Sequence, residues 1–375
     1  MMQCHNIELR HDNYKFTAAA AEKRLLFTEA GCILIKHFLG SEKIYISKSG
    51  YRRVMSLPYR PKVYFLGSGA IAVPVLRELV SDCRIEFAGA ATQIDRPAGR
   101  KGVLTPTPIG AYGDSAGISV KRVPDVNNEE FLDELRKKAP DFVVVVSFGQ
   151  LLKSTLLELP VHGCVNVHAS ILPKYRGASP IVQCILNRDG ATGVALMQME
   201  KGLDTGAVYA TWERPLDGTE YADPLEVELG EIAAKNIVSS LLDISGGKLD
   251  AVPQNEENAT VCRKIKKEMG IIDWNRDAFE IEAMVRAYTP WPGAVCMVKT
   301  PRGDVKASII KAKVREDLSG APGQSLDCGK KEIIVACGQY ALQILEIAPS
   351  GSKPMPAAAF RNGLRGEKAE FIPLI

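Results

Sequence analysis

The chain has 375 residues, 46% hydrophobic and 24% charged, a composition typical of a globular protein with two domains and a sizeable core. The net charge of only +3 argues against a chain that binds nucleic acid over its whole surface. The chain contains no run of about 18 apolar residues that would indicate a membrane span. Its nine cysteines include no C-x-x-C pair, which argues against a disulfide scaffold or a zinc site and favours a reducing compartment.

Residues 1–61 are expected to form an N-terminal extension. Residues 1–62 hold 11 Lys/Arg against five Asp/Glu, show no clear hydrophobic period and end in the turn-like LPYRP. We interpret the extension as a disordered arm, a transit segment, or an artefact of an upstream start site with the true start at Met55. The five acidic residues weaken the transit alternative, because transit segments are usually poor in acidic residues.

Residues 62–250 carry the pattern of an α/β domain. The run VYFLGSGAIAVPVLRELV (63–80) predicts a buried strand, a glycine turn and a helix, and NEEFLDELRKKAP (128–140) predicts an amphipathic helix. Two further stretches, IEFAGAATQ (85–93) and DFVVVVSFG (141–149), are typical of buried strands. Alternating strands and helices predict an α/β sheet with its site at the carboxyl ends of the strands.

The turn Gly67-Ser68-Gly69 resembles a dinucleotide-binding turn only weakly. Ala72 stands where a third glycine would be expected, and Asp95 lies within DRPAGR rather than at the tip of a strand. We therefore favour a tight turn between strand and helix over a nicotinamide site at this point.

The predicted pattern of secondary structure changes near residue 250. Before that point, the pattern predicts strands at 192–200 and 207–216 around a glycine-rich loop, then a long helix over 223–247. After a linker at 251–265, residues 266–375 contain short apolar runs separated by Gly, Pro and charged turns, which predict a small β-barrel. Residues 260–315 hold 12 Lys/Arg against six Asp/Glu and are a candidate basic face.

Three polar residues suit chemistry without a nucleophilic serine or cysteine. Asn166 and His168 are two positions apart in a predicted strand, so both side chains leave the same face. Asp204 lies in the glycine-rich EKGLDTGA, a loop that can aim a carboxylate. An amide donor, an imidazole and a carboxylate can together stabilise an oxyanion, move a proton and orient the base. The set predicts direct transfer to an incoming nucleophile.

A polar loop after the second strand of the domain contains a cluster of cations, Arg96, Arg100 and Lys101. Such a cluster is usually a solvated loop, but its position also suits a contact with phosphate or RNA. Trp291, between Pro290 and Pro292, is expected to be a packing anchor.

Four motifs together resemble a known family. NVHASILPKYRGASPIVQ (166–183) and GLDTG (202–206) are similar to the folate-dependent formyltransferase superfamily. TQIDRPAGR (92–100) and DWNRDAFEIEAMVRAYTPWPGA (273–294) resemble the branch of that superfamily that formylates a charged tRNA. The resemblance extends from about residue 62 to about residue 370.

The resemblance implies a Rossmann-like catalytic domain and a C-terminal OB-like barrel that helps to hold tRNA. It implies transfer of a formyl group from 10-formyltetrahydrofolate to the α-amino group of initiator methionyl-tRNA, for translation initiation, by a monomer that needs neither metal nor membrane. The implied catalytic residues are Asn166, His168 and Asp204. The implied folate-binding residues are Ser170, Ile171, Leu172 and Pro173. The implied tRNA contacts are Arg96, Arg100 and Lys101.

Other functions remain open on the sequence, among them a formyl-folate hydrolase as a further variant. A formyltransferase for a small amine, such as a ribonucleotide or a nucleotide-sugar, would share the three polar residues but would not need the 260–370 region. A non-catalytic RNA-binding protein on a relic fold is the alternative from a different class. We expect a bacterial-type cytoplasmic protein, or a mitochondrial or plastid protein if 1–61 is a transit segment.

Overall fold

A computed structural model describes residues 59–98, 102–300, 303–327, 332–364 and 370–373, together with four strands in the preceding segment. The chain divides into two compact units, Met1–Tyr59 and Arg60–Ile375. The four strands of the first unit form an antiparallel sheet in chain order: β1 (Leu25–Phe27), β2 (Ile33–Ile35), β3 (Glu42–Ile46) and β4 (Arg52–Ser56). The sequence pattern does not indicate them, because strands of three to five residues are too short for a clear alternation.

The second unit begins with a seven-stranded sheet in the order β14-β13-β11-β10-β5-β6-β9. Strands β9, β6, β5, β10 and β11 run parallel, while β13 and β14 add an antiparallel edge. The strands of this part of the chain are β5 (Lys62–Gly67), β6 (Glu86–Gln93), β7 (Arg96–Ala98), β8 (Val103–Thr105), β9 (Val120–Val123), β10 (Phe142–Val146), β11 (Cys164–His168), β12 (Arg176–Gly177), β13 (Ala191–Gln198), β14 (Val208–Pro215) and β15 (Val261–Cys262). The α/β class expected from the sequence is confirmed.

Six helices belong to the described residues of this part of the chain: α1 (Ala72–Ser81), α2 (Pro108–Ala116), α3 (Glu129–Lys138), α4 (Ser154–Leu157), α5 (Pro180–Leu186) and α6 (Ala222–Ser245). The sequence pattern predicts α1, α3 and α6, but not the shorter α2, α4 and α5. Helix α3 shows the local causes well: the side chain of Asn128 caps the amide of Phe131, acidic residues fill its first turn and basic residues its last. Its apolar face, with Phe131, Leu132 and Leu135, is buried against the sheet.

The remaining part of the second unit is a nearly closed antiparallel β-barrel, as the resemblance implies. Its sheet order is β18-β19-β20-β17-β16-β22, with β21 paired to β20. Its elements are α7 (Ala278–Tyr288), β16 (Ala294–Thr300), β17 (Gly303–Arg315), β18 (Ser325–Leu326), β19 (Ile333–Ala336), β20 (Ala341–Pro349), β21 (Met355–Pro356), α8 (Ala357–Gly363) and β22 (Glu370–Ile372). The long strand β17 pairs with both β16 and β20 and has an irregular register near Lys311, which lets the sheet curl.

One continuous cluster of buried residues joins the α/β part to the barrel. It extends from Val63 in β5 to Phe371 in β22, and helix α7 packs against α5. The boundaries 62–250, 251–265 and 266–375 lie inside this single compact unit, and that division stays a prediction. Among the described residues, no helix is both long and apolar enough to cross a bilayer.

Candidate active site

The site lies at the carboxyl end of β11, next to parallel β10. Asn166 and His168 belong to this strand and project from the same face, as their spacing predicts. Both side chains are largely withdrawn from solvent, with 8% and 6% exposure. A buried amide and a buried imidazole at the end of a parallel strand are typical of a functional position in an α/β sheet.

The structure brings Asp204 to these two residues from the loop between β13 and β14. Its Oδ1 lies 3.5 Å from the Nδ2 of Asn166, and its Oδ2 lies 3.7 Å from the Nδ1 of His168. The three side chains that the sequence singled out therefore meet, although they lie up to 38 residues apart in the chain. Their catalytic roles stay a prediction.

A backbone carbonyl sets the tautomer of His168. The Nε2 of this ring lies 2.9 Å from the carbonyl oxygen of Tyr175, which can only accept, so Nε2 carries a proton. Nδ1 then faces the Asp204 carboxylate at 3.7 Å, beyond hydrogen-bond distance. In the neutral imidazole Nδ1 is then an acceptor, so a group that brings protons, such as an amine, can donate to it and to the carboxylate.

The Asp204 carboxylate is held by a main-chain donor. Its Oδ2 accepts the amide hydrogen of Gly177 at 2.8 Å. Asp204 has φ of 51°, in the left-handed region that aspartate tolerates better than most residues. Behind the loop, the Nε2 of Gln254 donates to the carbonyl oxygens of Asp204 and Gly206, at 2.9 and 2.7 Å.

A buried arginine completes the support. Arg176, 5% exposed, donates through Nε to the Oε1 of Gln254 and through both terminal nitrogens to Glu256. Hydrogen bonding to Glu256 raises the pKa of Arg176, and the same contact lowers the pKa of Glu256. Sequence reasoning missed Arg176, Gly177 and Gln254. The first two lie in the quoted motif, whereas Gln254 gives no local signal because its role comes only from tertiary contact.

The stretch Ser170–Pro173, expected to bind folate, forms a tight turn directly after β11. Ser170 is fully buried and its hydroxyl donates to the carbonyl oxygen of Lys174 at 2.6 Å. Leu172 is also buried and packs with Ala195 and Met197 of β13. Ile171 and Pro173 are half-buried, so they and the backbone offer the contact surface of this turn. Folate binding by these four residues stays a prediction.

Of the three basic residues, Arg96 begins β7, which follows β6 in the chain and pairs antiparallel with β8. Arg96 is exposed and donates to the Oε1 of Gln93 at 2.8 Å. Arg100 and Lys101 lie outside the described residues. The expected contact of these three residues with tRNA stays a prediction.

The expectation for Trp291 is wrong. Its side chain is 61% exposed, while Tyr288, at the end of α7, is only 4% exposed and supplies the buried aromatic ring. The physical reason is that Thr289–Gly293 is a surface loop after the helix, where a proline on each side of a tryptophan does not determine which way its ring points.

The glycine turn after β5 is closed by a carboxylate of the chain itself. The Oε1 of Glu226, from α6, accepts the amide hydrogen of Ile71 at 3.1 Å. Desolvation raises the pKa of Glu226. In dinucleotide-binding folds this helix N-terminus holds the pyrophosphate, so Glu226 stands where that phosphate would bind. The contact favours the tight-turn interpretation over a nicotinamide site.

Within the described parts of the chain, no group of three or more His, Cys, Asp or Glu side chains is placed to hold a metal ion.

Burial raises the pKa of the Cys262 thiol, which donates to the carbonyl oxygen of Tyr175 with Sγ at 3.4 Å. This is the same oxygen that receives the Nε2–H of His168.

Comparison with known proteins agrees with this architecture. Residues 62–241 match the formyl transferase family and residues 264–365 match the formyl transferase C-terminal domain. The methionyl-tRNA formyltransferase of Geobacter sulfurreducens is 37% identical over 306 residues, 82% of this chain and 95% of its own length. That of Sorangium cellulosum is 38% identical over 298 residues, 79% of this chain and 94% of its own.

Solved structures show the same fold at lower identity. HypX from Aquifex aeolicus, in complex with tetrahydrofolic acid, has a TM-score of 0.55 at 16% identity, over 85% of this chain and 51% of that one. WlaRD, a sugar 3N-formyl transferase crystallised with dTDP and 5-N-formyl-THF, has a TM-score of 0.55 at 17% identity, over 79% of this chain and all of that one.

Proposed function

Because this chain belongs to the methionyl-tRNA formyltransferase family, we propose that it transfers the formyl group of 10-formyltetrahydrofolate to the α-amino group of methionyl-tRNA. The product is N-formylmethionyl-tRNA, the initiator of protein synthesis. The observation that carries the proposal is the convergence of an amide, an imidazole and a carboxylate at the end of β11, on Asn166, His168 and Asp204.

The amide of Asn166 stabilises the reacting oxygen. When the methionyl amine attacks the formyl carbon, the carbonyl oxygen gains negative charge. The Nδ2 of Asn166 lies 3.5 Å from the Oδ1 of Asp204, a long and weak hydrogen bond. Its N–H can therefore turn towards the reacting oxygen. One such donor typically contributes about 10²–10³ in rate.

His168 and Asp204 handle the protons. The unprotonated Nδ1 of His168 accepts a proton from the attacking amine, and the Asp204 carboxylate at 3.7 Å stabilises the resulting imidazolium. As the new C–N bond forms and the bond from carbon to N10 breaks, His168 returns its proton to N10. No atom of the protein becomes covalently attached, in keeping with the absence of a serine or cysteine among the three residues.

The folate co-substrate supplies an activated formyl group, and the residues present suit it. The turn after β11 offers backbone groups and the half-buried faces of Ile171 and Pro173 beside Asn166. We propose that Ser170 and Leu172 do not contact the folate themselves but fix the shape of the turn that does, because both side chains are buried.

The acceptor is proposed to be a charged tRNA rather than a small amine. The chain carries the C-terminal domain over 264–365 and spans 95% of the length of its Geobacter relative. Residues 260–315 hold 12 Lys/Arg against six Asp/Glu, a charge balance suited to phosphate contacts. We propose that Arg96, Arg100 and Lys101 contact the acceptor end of the tRNA.

The test compares acceptors directly. The protein is incubated with 10-formyltetrahydrofolate and either methionyl-tRNA, free methionine or an amino sugar nucleotide, and the formylated product is identified. We expect rapid formylation of methionyl-tRNA only. Preferred formylation of a small amine would overturn the acceptor assignment, and hydrolysis of the folate without transfer would overturn the reaction.

A further inference from the structure

We propose that Gln254 is a positioning residue for the catalytic carboxylate and that Gln254, Glu256, Thr260 and Cys262 make the stretch after α6 part of the catalytic apparatus. These residues lie between the two family-matched regions, 62–241 and 264–365. The inference rests on the proposed function and adds to it the means by which Asp204 and His168 are held in place.

The side-chain amide of Gln254 bridges the Asp204 loop. Its single Nε2 donates to two carbonyl oxygens, those of Asp204 and Gly206, at 2.9 and 2.7 Å. Both donated hydrogens therefore fix the backbone on each side of Thr205. Asp204 has φ of 51°, a conformation of limited intrinsic stability, so the hydrogen bonds from Gln254 stabilise this loop in the observed conformation.

The other end of the same amide is held by a buried charge. The Oε1 of Gln254 accepts from the Nε of Arg176 at 3.0 Å. Arg176 is in turn fixed by two parallel bonds to Glu256, at 2.8 and 2.7 Å. The next residue, Gly177, donates its amide to the Asp204 carboxylate. Backbone and side chain of Asp204 are thus tied to one network.

Residues further along the same stretch hold the partner of His168. Thr260 accepts the amide of Tyr175 at 2.8 Å through its hydroxyl, and its carbonyl accepts the amide of Arg176 at 2.8 Å. Strand β15 then pairs in parallel with β12, and the Cys262 thiol donates to the Tyr175 carbonyl. That carbonyl sets the tautomer of His168. Both proton-handling residues are therefore positioned by the segment that leads into the C-terminal domain.

A direct consequence is that the α/β part, without the stretch after α6, would contain the three proposed catalytic side chains but lack the hydrogen bonds that position them. A misplacement of about 1 Å in a catalytic group can cost about 10² in rate. Loss of the Gln254 network should therefore reduce kcat on this scale. It should leave the KM values for both substrates within about two-fold, because the Gln254 side chain bonds Arg176 and the backbone of the Asp204 loop rather than a reacting group.

The experiment uses two isosteric substitutions in the full chain and a matched control. Gln254→Glu keeps the volume and the acceptor for Arg176 but replaces the two donated hydrogens with an oxygen facing two carbonyls. Glu256→Gln removes the charge that holds Arg176. Glu257→Gln removes the same charge from the neighbouring exposed position in the same short helical turn, Glu256–Asn258. We measure kcat and KM for methionyl-tRNA and 10-formyltetrahydrofolate, the melting temperature, and the ring ¹⁵N shifts of His168.

We expect Gln254→Glu to lower kcat by about 10² and to shift the ¹⁵N resonance of the His168 Nδ1. The melting temperature should fall somewhat, because two carbonyl oxygens lose their donor, but the chain should remain folded at the assay temperature. Glu256→Gln should have a smaller effect in the same direction, and Glu257→Gln none. Wild-type kcat in Gln254→Glu, or an equal loss in Glu257→Gln, would overturn the positioning role. The ¹⁵N shift does not depend on turnover, so it reports on positioning even if the acceptor proves to be a different amine.

Discussion

The Nε2 of His168 lies 2.9 Å from the carbonyl oxygen of Tyr175, so the nitrogen facing Asp204 is the one free to exchange a proton. In the proposed mechanism this contact leaves Nδ1 as the nitrogen that accepts the proton. It also makes the role of the imidazole separable from that of the neighbouring amide, because only the imidazole can both accept and return a proton.

Replacing the imidazole should stop proton transfer while keeping the shape of the site. In His168→Asn we expect kcat to fall by about 10²–10⁴, because the amide can hydrogen-bond but cannot take up a proton. Single-turnover formylation measures the effect. His162→Asn is the control, since His162 stacks on Phe142 with ring centres 4.8 Å apart and lies outside the site. Equal losses in both variants would contradict the assignment.

Removing the amide should affect the chemical step. Asn166→Ala should lower kcat by about 10²–10³ with little change in KM, because the lost donor acts on charge that develops during the reaction. Asn236→Ala is a suitable comparison: this amide bonds the Ile232 carbonyl within α6. Wild-type turnover in the Asn166 variant would exclude its role at the reacting oxygen.

Two glycines with positive φ test the backbone support of Asp204. Gly177 has φ of 111°, and a Cβ there would collide with the carbonyl oxygen of Cys262. Gly218 has φ of 85° and no heavy atom within 4 Å of the same position. Gly218→Ala should cost about 1–2 kcal/mol of unfolding free energy from strain alone. Gly177→Ala should cost about 1–3 kcal/mol more from overpacking and should also lower kcat. Denaturant unfolding and kinetics compare them, and equal behaviour would contradict the argument.

The basic loop should matter for the acceptor only. Arg100→Ala should weaken the kinetics with methionyl-tRNA, reduce the slope of log KM against log salt by about 1, and leave folate binding unchanged. Arg84→Ala removes an exposed arginine that is bound to Asp82 and serves as the control. A loss of affinity for both substrates would argue against a tRNA contact.

The carboxylate of Glu226 should make stability depend on pH. Its pKa is raised in the folded state, so folding takes up a proton between the unfolded and the folded pKa values. Its unfavourable contribution is therefore absent below the ordinary glutamate pKa of 4.5 and fully present above the folded value. Glu226→Gln should be more stable than the wild type at pH 7, and the difference should vanish near pH 4. Melting curves at both pH values measure this. A difference that grows as the pH falls would show the opposite sign.

The sequence was sufficient where one pattern determines one outcome. The alternation around Asn166 and His168 located both residues on one face of a strand, and the glycines around Asp204 located its loop. The network of Gln254 and Arg176 was not predictable, because hydrophobic periodicity contains no information about the contact between Gln254 and the Asp204 loop, 50 residues earlier in the chain. The error at Trp291 has a similar cause: neighbouring prolines fix the path of the backbone but not the side of it that meets solvent.

The contact between Glu226 and the start of α1 also bears on what this helix end can bind. In dinucleotide-binding sheets this helix end is open to the nucleotide, whereas here a side chain 155 residues away occupies it. The carboxylate therefore occupies the position that a phosphate would take, and the proposed site lies elsewhere in the sheet, at β11. Removing this one carboxylate would leave the Ile71 amide open to an anion without any change of topology.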